Sequence, residues 1–297
     1  MDDSNKLTIS DFNSPIKPTW CPGCGDYTIL ASIKKALVEL DIAPSEVVLV
    51  FDIGCNSNMA DKINANFFKG LHGRVLPLAS GIKLGNKDLT VIAIGGDGGT
   101  FSEGMLHFIH TFRSNYDITL LLHNNCDFGL TTGQATPTTP TGQQMNSSPY
   151  GVVETRFNPI ETALSINPSF IARSSSIDPI QLTDLLKQAI KHKGFSYLEV
   201  LQTCPTYNKF FTIDFYRNHI AKVDDLDFYD PTDIAKAREI TSYEFENQNQ
   251  KIYTGLIYIN NQVKEFTDRI THLDNLDRPL ARQVRKQDIS KFYDEFI

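Results

Sequence analysis

Four of the five cysteines stand where they could hold a metal. Cys21 and Cys24 form a Cys-Pro-Gly-Cys segment after Trp20, and Cys55 and Cys204 follow apolar runs elsewhere in the chain. Two-residue spacing in a turn of Gly and Pro suits two thiolates that bind one metal ion or cluster. The spacing alone also fits half of a zinc site or a redox dithiol, so three interpretations remain open.

A second group of residues could bind a hard cation and a phosphate. Gly96-Asp97-Gly98 follows one apolar run, and Asn125 follows the next. Glycines let backbone N–H groups approach a phosphate, while carboxylate and amide oxygens are ligands that Mg²⁺ accepts. Together these residues predict a magnesium-held diphosphate, although Gly-Asp-Gly by itself also fits an ordinary turn.

The elements that must position these side chains indicate an α/β fold. Short β-branched runs alternate with stretches of helical period, which is typical of a parallel sheet with helices on both faces. Strands are predicted at 47–53, 89–94, 118–122 and 195–201, and helices at 27–40, 103–112 and 179–192. Cys55, Asp97, Asn125 and Cys204 each follow one of these strands, so we expect them at one edge of the sheet, where ligands bind.

The chain is predicted to contain one large domain and an extension. Residues 131–150 are rich in Thr, Pro, Gly and Gln without periodicity, which predicts a long loop. Residues 1–205 are predicted to form the α/β domain. Residues 206–297 are more polar, with a weak strand pair possible around 251–265, and we expect them to pack on the core or on a partner.

Composition excludes several classes of function. The chain has 297 residues and a net charge of -7, which argues against a nucleic-acid surface because phosphate binding needs an excess of Lys and Arg. The polar start Met1–Lys6 does not resemble a secretory signal, and no apolar run approaches the roughly 20 residues that cross a bilayer. We therefore expect a cytoplasmic protein without membrane contact. In that compartment Cys126 is expected to be a free thiol rather than part of a disulfide.

Taken in order, the motifs resemble those of the β subunits of 2-oxoacid:ferredoxin oxidoreductases. The resemblance extends over roughly residues 15–210 and is carried by Trp20–Gly25, Ile53-Gly54-Cys55, His72-Gly73-Arg74, Gly96-Asp97-Gly98, Asn125, Gly129–Gln134 and Cys204–Asn208. The chain departs from the usual pattern of that family at Gly99, Leu106, Asn124 and Phe128, from many of its members at Asp26 and from some at Thr132.

The resemblance implies a thiamine-diphosphate-binding fold and a set of ligands for three cofactors. A 4Fe-4S cluster would be held by Cys21, Cys24, Cys55 and Cys204. Mg²⁺ would be held by Asp97, Asn125 and the backbone carbonyl of Asp127. Thiamine diphosphate would be contacted by twelve residues: Ile53, Gly54, Cys55, Asn56, Leu71, His72, Gly73, Arg74, Gly98, Gly99, Gly129 and Leu130.

The resemblance also implies an enzyme that converts a 2-oxoacid and coenzyme A to acyl-CoA and CO₂, reversibly in principle. Electrons would pass through the cluster to ferredoxin. No catalytic residue is assigned to this chain, because the resemblance implies that an α-type partner subunit supplies the activating glutamate. Three alternatives are kept: a thiamine-dependent non-oxidative decarboxylase, a non-catalytic zinc-stabilised scaffold subunit, and a thioredoxin-like reductase that uses Cys21 and Cys24.

Overall fold

The computed structural model describes residues 6–242 and 251–270, together with Ser290. In this part of the chain eight strands form one sheet: β1 (Val47–Phe51), β2 (Asn66–Lys69), β3 (Thr90–Gly96), β4 (Thr119–Asn124), β5 (Phe170–Ser175), β6 (Ser196–Leu201), β7 (Ile220–Lys222) and β8 (Ile252–Ile259). Their order is β2-β1-β3-β4-β6-β5-β8-β7. All neighbouring strands are parallel except β5 and β8.

Helices cover both faces of the sheet. The α-helices described are α1 (Asp26–Glu39), α2 (Val75–Gly85), α3 (Met105–Ser114), α4 (Pro159–Leu164), α5 (Pro179–Lys191), α6 (Ile213–His219) and α7 (Ile234–Thr241). Helices α1 and α5 pack on one face, in the core that contains Leu121. Helices α2, α3, α4 and α7 pack on the other, in the core that contains Leu120. Neighbouring strand residues point to opposite faces, so consecutive leucines belong to different cores.

Short turns complete the described structure. Three-residue and four-residue 3₁₀ turns lie at Ile9–Phe12, Asn56–Met59, Val223–Asp225 and Thr267–Arg269, and a π-helical turn lies at Gly99–Glu103. The π turn follows the Gly-Asp-Gly segment directly, and π turns are frequent at functional sites. No helix in the described ranges is long and apolar enough to cross a membrane.

The predicted fold class is confirmed, and so are most of the predicted elements. The four predicted strands correspond to β1, β3, β4 and β6, and the three predicted helices to α1, α3 and α5. Between Asn124 and Pro159, a range that the structure describes throughout, there is no helix or named strand, which confirms the long loop. The strand pair predicted around 251–265 is wrong, since that region contains the single strand β8, which pairs with β5 and β7.

Three strands were not anticipated from the sequence, namely β2, β5 and β7. Strand β5 contains the polar residues Arg173, Ser174 and Ser175, all of them buried, so it lacks an apolar pattern. Strand β2 is exposed along its whole length at the edge of the sheet. The domain boundary between residues 205 and 206 stays a prediction, and β7 and β8 beyond it join the same sheet as β1.

A buried ion pair links three central strands. Arg173 on β5 and Glu199 on β6 are each 1% exposed, with 2.6 Å between Nε and Oε2. The second carboxylate oxygen of Glu199 accepts a hydrogen bond of 2.7 Å from the side chain of Asn124 at the end of β4. Removing one member of such a pair leaves the other charge buried without compensation, which typically lowers stability by about 3–5 kcal/mol.

We therefore expect Arg173→Met to lower the free energy of unfolding by about 3–5 kcal/mol, because Glu199 would stay buried without its cation. Urea denaturation followed by circular dichroism measures this change. Arg217→Ala is the control, since it breaks the exposed pair with Asp214, whose side chains are 67% and 84% exposed, and should change stability little. Equal effects of the two substitutions would contradict the assignment.

Candidate active site

A cavity of about 160 Å³ lies at the carboxyl ends of β1, β3 and β4. Its walls come from the segments that follow these strands, together with side chains from other elements. The lining consists of residues 53–56, 96–99, 125 and 127–131 with His72, His123 and Gln202. The loops that follow parallel strands lie at one edge of the sheet, and the cavity lies at that edge.

Nine of the twelve residues predicted to contact thiamine diphosphate line this cavity: Ile53, Gly54, Cys55, Asn56, His72, Gly98, Gly99, Gly129 and Leu130. The other three do not. Leu71 is 78% exposed, the N–H of Gly73 donates to Asp52, and the Arg74 guanidinium donates to the carbonyl of Glu103 at 2.7 Å. The structure therefore uses Gly73 and Arg74 to hold the turn that presents His72, and their contact with a cofactor stays a prediction.

The loop at 131–150 fixes the carboxylate of Asp97. Asp97 lies just after β3 and is 1% exposed. Its Oδ2 accepts hydrogen bonds from the hydroxyls of Thr136 at 2.6 Å and Thr138 at 2.5 Å. Burial raises the pKa of Asp97 to about 6, although the two threonines oppose this shift. A bound cation would favour the ionised carboxylate that burial disfavours.

Asn125 and Asp127 lie in the cavity wall with Asp97. The side-chain oxygen of Asn125 accepts the backbone N–H of Asp127 at 3.2 Å, and its carbonyl accepts from the side chain of Asn208 at 2.8 Å. Burial and the nearby Asp97 raise the pKa of Asp127 to about 7. The protein therefore holds the oxygens of Asn125 and Asp127 in the same cavity wall as the Asp97 carboxylate, and the predicted magnesium site requires these residues together.

Several buried oxygens at the cavity lack a hydrogen-bond partner of full geometry within the described residues. They are the side-chain oxygen of Asn56 and the two carboxylate oxygens of Asp127, which lie beside the Cys204 thiol. Buried polar atoms are nearly always paired in folded proteins, so each exception calls for an ion, a water or a ligand. The donor set of carboxylate and amide oxygens fits a magnesium ion.

The Gly98-Gly99 turn has no room for side chains. A Cβ on Gly98 would lie 2.2 Å from the Phe128 ring, and one on Gly99 would lie 1.9 Å from Oδ2 of Asp52. Only backbone can therefore face the cavity here, and bare backbone is what a phosphate group can approach closely. The turn fits the diphosphate that the sequence predicts.

Cys55 and Cys204 lie together beside Gly129. Their sulfurs are 3.3 and 3.8 Å from the position that a Cβ on Gly129 would take. Burial raises the pKa of Cys55 to about 12 and that of Cys204 to about 11. Thiols of this kind lose their protons when they bind a metal cation. Cys55 also belongs to the cavity wall, so these two sulfurs stand next to the cavity.

The Cys21–Cys24 turn lies against the same region. The N–H of Gly25 donates to the carbonyl of Thr203 at 3.0 Å, which attaches this turn to the residue before Cys204. Cys55 is close enough to interact electrostatically with Cys21 and with Cys24. Burial and a neighbouring carboxylate raise the pKa of Cys24. A reactive dithiol of thioredoxin type needs the opposite shift.

The described residues contain no compact group of metal-binding side chains. In residues 6–242 and 251–270, no three His, Cys, Asp or Glu side chains lie close enough to hold one metal ion. Zinc binds thiolates at about 2.3 Å and needs such a compact group. A four-iron cluster is larger and is also held by four thiolates. A cluster held by Cys21, Cys24, Cys55 and Cys204 stays a prediction.

One buried pair at the site was not identified from the sequence. Oδ1 of Asp26 lies 2.7 Å from Nδ1 of His123, and both side chains are at most 1% exposed. Oδ2 of Asp26 accepts the thiol of Cys24 at 3.5 Å, and His123 lines the cavity. The pair thus connects a predicted cluster ligand with the cavity. A histidine at the end of an apolar strand, two residues before Asn125, is the signal that could have revealed it.

We expect Thr138→Val to weaken Mg²⁺ binding about tenfold, because outer residues that hold a metal ligand typically contribute 10–100-fold in affinity. Valine keeps the shape of threonine but removes the hydroxyl that orients Asp97. Titration calorimetry with Mg²⁺ and thiamine diphosphate measures the effect. Thr141→Val in the same loop is the control, because its hydroxyl donates to the carbonyl of Glu154. A similar loss in both variants would contradict the role of Thr138.

Comparison with known proteins agrees with this geometry. Residues 52–200 match the family described as thiamine pyrophosphate enzyme, C-terminal TPP binding domain, and residues 204–275 match the family that describes the C terminal of the pyruvate ferredoxin oxidoreductase beta subunit. The 2-oxoacid:ferredoxin oxidoreductase 1, subunit beta, of Aeropyrum pernix is 36% identical over 299 residues, which cover 97% of this chain and 94% of that protein.

Two further proteins extend the comparison. The 2-oxoacid:ferredoxin oxidoreductase subunit beta of Saccharolobus solfataricus is 38% identical over 89% of this chain and 90% of its own. A solved 2-oxoglutarate:ferredoxin oxidoreductase from Magnetococcus marinus, with 2-oxoglutarate, coenzyme A and succinyl-CoA bound, superposes with a TM-score of 0.83 at 32% identity, covering 89% of this chain and 88% of that one. The chain therefore belongs to the beta subunits of the 2-oxoacid:ferredoxin oxidoreductases and has their thiamine-diphosphate-binding α/β fold.

Proposed function

We propose that this chain is the thiamine-diphosphate-binding subunit of an enzyme that converts a 2-oxoacid and coenzyme A to acyl-CoA and CO₂, with electrons passing through a 4Fe-4S cluster to ferredoxin. One observation carries the proposal: the cavity wall contains Asp97, Asn125 and also Cys55, whose sulfur lies beside that of Cys204. The proposed cation site for a diphosphate and the proposed thiolate site for a cluster are therefore adjacent, and Cys55 belongs to both.

The residues that would hold thiamine diphosphate have separate tasks. Asp97, Asn125 and the backbone carbonyl of Asp127 would bind Mg²⁺, and the backbone of Gly98 and Gly99 would lie against the diphosphate. Thr136 and Thr138 orient Asp97, so its carboxylate does not have to reorganise when the cation binds. When bound, the cofactor supplies the electron sink for the loss of CO₂. The protein's own contribution is to neutralise charge and to fix the position of the diphosphate.

The four cysteines would hold the cluster at the side of this cavity. When bound, a 4Fe-4S cluster supplies a one-electron acceptor. The overall reaction converts one 2-oxoacid anion and one thiol to a thioester, CO₂, one proton and two electrons. Ferredoxin would accept these electrons, so a subunit with this function must keep the two cofactors adjacent. Cys55 achieves this because it belongs both to the cavity wall and to the cysteine group.

A partner subunit would complete the site. None of the described residues that line the cavity is a glutamate. Leu130 in the cavity wall is 56% exposed, and Leu71, next to the lining residue His72, is 78% exposed. Exposed apolar side chains beside a cavity are typical of an interface with another protein. An α-type subunit that covers them would bring the activating glutamate to the cofactor.

Replacing Cys204 tests the cluster. We expect Cys204→Ser to remove most of the iron and the visible absorption of the anaerobically purified complex, because a hydroxyl is a poor cluster ligand. Cys126→Ser is the matched control, since Cys126 is buried and its thiol donates to the side-chain oxygen of Asn124. It should keep its iron. Stoichiometric zinc in a colourless wild-type protein would instead support the scaffold alternative.

Separating the subunits tests the partner. We expect the chain alone to show no oxoacid-dependent reduction of ferredoxin and the complex with its α-type subunit to show it, because no glutamate is among the described residues of the cavity wall. The assay uses pyruvate, 2-oxoglutarate and a branched-chain 2-oxoacid in parallel with coenzyme A. Substantial turnover by the isolated chain would refute the division of the site between two subunits. Carbon dioxide release without reduction of any acceptor would support the non-oxidative alternative.

A further inference from the structure

A buried carboxylate that the proposed reaction does not use lies behind the cavity. Asp52, just after β1, has 0% exposure. Its Oδ1 accepts the N–H of Gly73 at 2.7 Å, and its Oδ2 has no hydrogen-bond partner within the described residues. Burial raises the pKa of Asp52, although His72 and the Gly73 N–H oppose this shift. Burying a carboxylate is unfavourable, so a neutral residue would serve better if Asp52 only filled space.

Asp52 faces one nitrogen of His72. Oδ1 lies 3.5 Å from the buried Nδ1 of the imidazole. The other nitrogen, Nε2, lies 3.5 Å from the carboxylate of Glu103, which is 42% exposed. The edge of the ring packs against Phe128, with 5.9 Å between centroids, and the ring lines the cavity. The buried carboxylate therefore faces Nδ1 at ion-pair distance without a hydrogen bond of full geometry, and the outer nitrogen, Nε2, is the one whose contact can be exchanged for a ligand.

Gly99 lies next to the Asp52 carboxylate and the His72 ring. A Cβ on Gly99 would lie 1.9 Å from Oδ2 of Asp52 and 2.8 Å from Cε1 of His72. No side chain fits at position 99 while Asp52 is present. Without Asp52, the Cβ of an aspartate at position 99 would lie close to the place that Oδ2 of Asp52 now fills, once the end of the His72 ring shifts to relieve the remaining 2.8 Å contact, and its side chain would stand beside the same imidazole. A carboxylate beside the His72 ring can thus come from position 52 or from position 99.

We propose that Asp52 is a positioning residue for His72, and that this carboxylate can be supplied equally from position 52 or from position 99. A carboxylate at Nδ1 fixes the tautomer and the orientation of an imidazole, as it does for histidines that bind metals. Nε2 then faces the outer side, where Glu103 and the guanidinium of Arg74, which donates to the Glu103 carbonyl, are the neighbouring charged groups. The inference rests on the proposed function in that His72 is taken to contact the diphosphate.

A double-mutant cycle tests the exchange of positions. The four proteins are wild type, Asp52→Gly, Gly99→Asp and the double variant, each in complex with the α-type subunit. We expect each single variant to bind thiamine diphosphate with Mg²⁺ about 10–100-fold more weakly by calorimetry. Asp52→Gly loses the carboxylate, and Gly99→Asp forces two carboxylates together. The double variant should recover to within about threefold of wild type, since it restores one carboxylate.

Nitrogen-15 spectra of histidine-labelled protein give a reading that does not depend on the cofactor. The ring signals of His72, assigned with His72→Asn, should shift in Asp52→Gly and return in the double variant. Asp52→Asn preserves the shape and removes the charge, so it should behave like Asp52→Gly. Asp88→Asn, on an exposed residue at the far end of the sheet, is the control and should change neither the spectra nor the affinity.

The outcomes separate the role of Asp52 from the proposed function. Recovery in the double variant together with loss in Asp52→Asn supports the positioning role. A folded double variant that binds no better than Asp52→Gly overturns it, and so does wild-type behaviour of Asp52→Asn. If circular dichroism shows that the double variant does not fold, Asp52→Asn alone decides. Failure of the wild-type complex to bind thiamine diphosphate would instead overturn the proposed function, while the spectra would still report on Asp52 and His72.

Discussion

The parallel pairing of β1, β3, β4 and β6 is the constraint on which the site depends. Parallel strands end at the same edge, so the loops after them converge although they are distant in sequence. Cys55, Asp97, Asn125 and Cys204 each follow one of these strands by a few residues. Reversing one strand would move its side chain to the other edge. The sheet therefore determines which residues can act together, and the helices on both faces keep it rigid.

Acidic side chains are concentrated at the carboxyl edge of the sheet, and the described part of the protein does not neutralise all of them. Four buried carboxylates lie there: Asp26, Asp52, Asp97 and Asp127. Two of them face imidazoles, Asp26 with His123 and Asp52 with His72. Burial raises the pKa values of the other two, and no described cationic side chain counters that shift. A divalent cation would supply the missing positive charge, so the bound form is electrostatically more complete than the protein by itself.

The sequence predicted those parts of the fold and site that a single residue type or a short pattern can reveal. Buried parallel strands are continuous apolar runs, and cysteines or a Gly-Asp-Gly turn stand out in any chain. It was uninformative where a residue depends on a distant partner. Arg173 in β5 is buried against Glu199 of the neighbouring strand, so the sequence of β5 did not resemble a buried strand. Asp26 and His123 are 97 residues apart and become meaningful as a pair only in three dimensions. The same holds for Asp52, whose importance depends on the space above Gly99.

The hydrogen bonds from Thr136 and Thr138 to Asp97 have a thermodynamic consequence. They connect a long stretch without regular structure to a cation ligand, so the order of this stretch and the affinity for the cation are linked. Linkage is reciprocal: whatever free energy the ordered loop adds to cation binding, the cation returns to the ordered loop. Depletion of the metal would thus lower the order of this stretch as well as the occupancy of the coordination site.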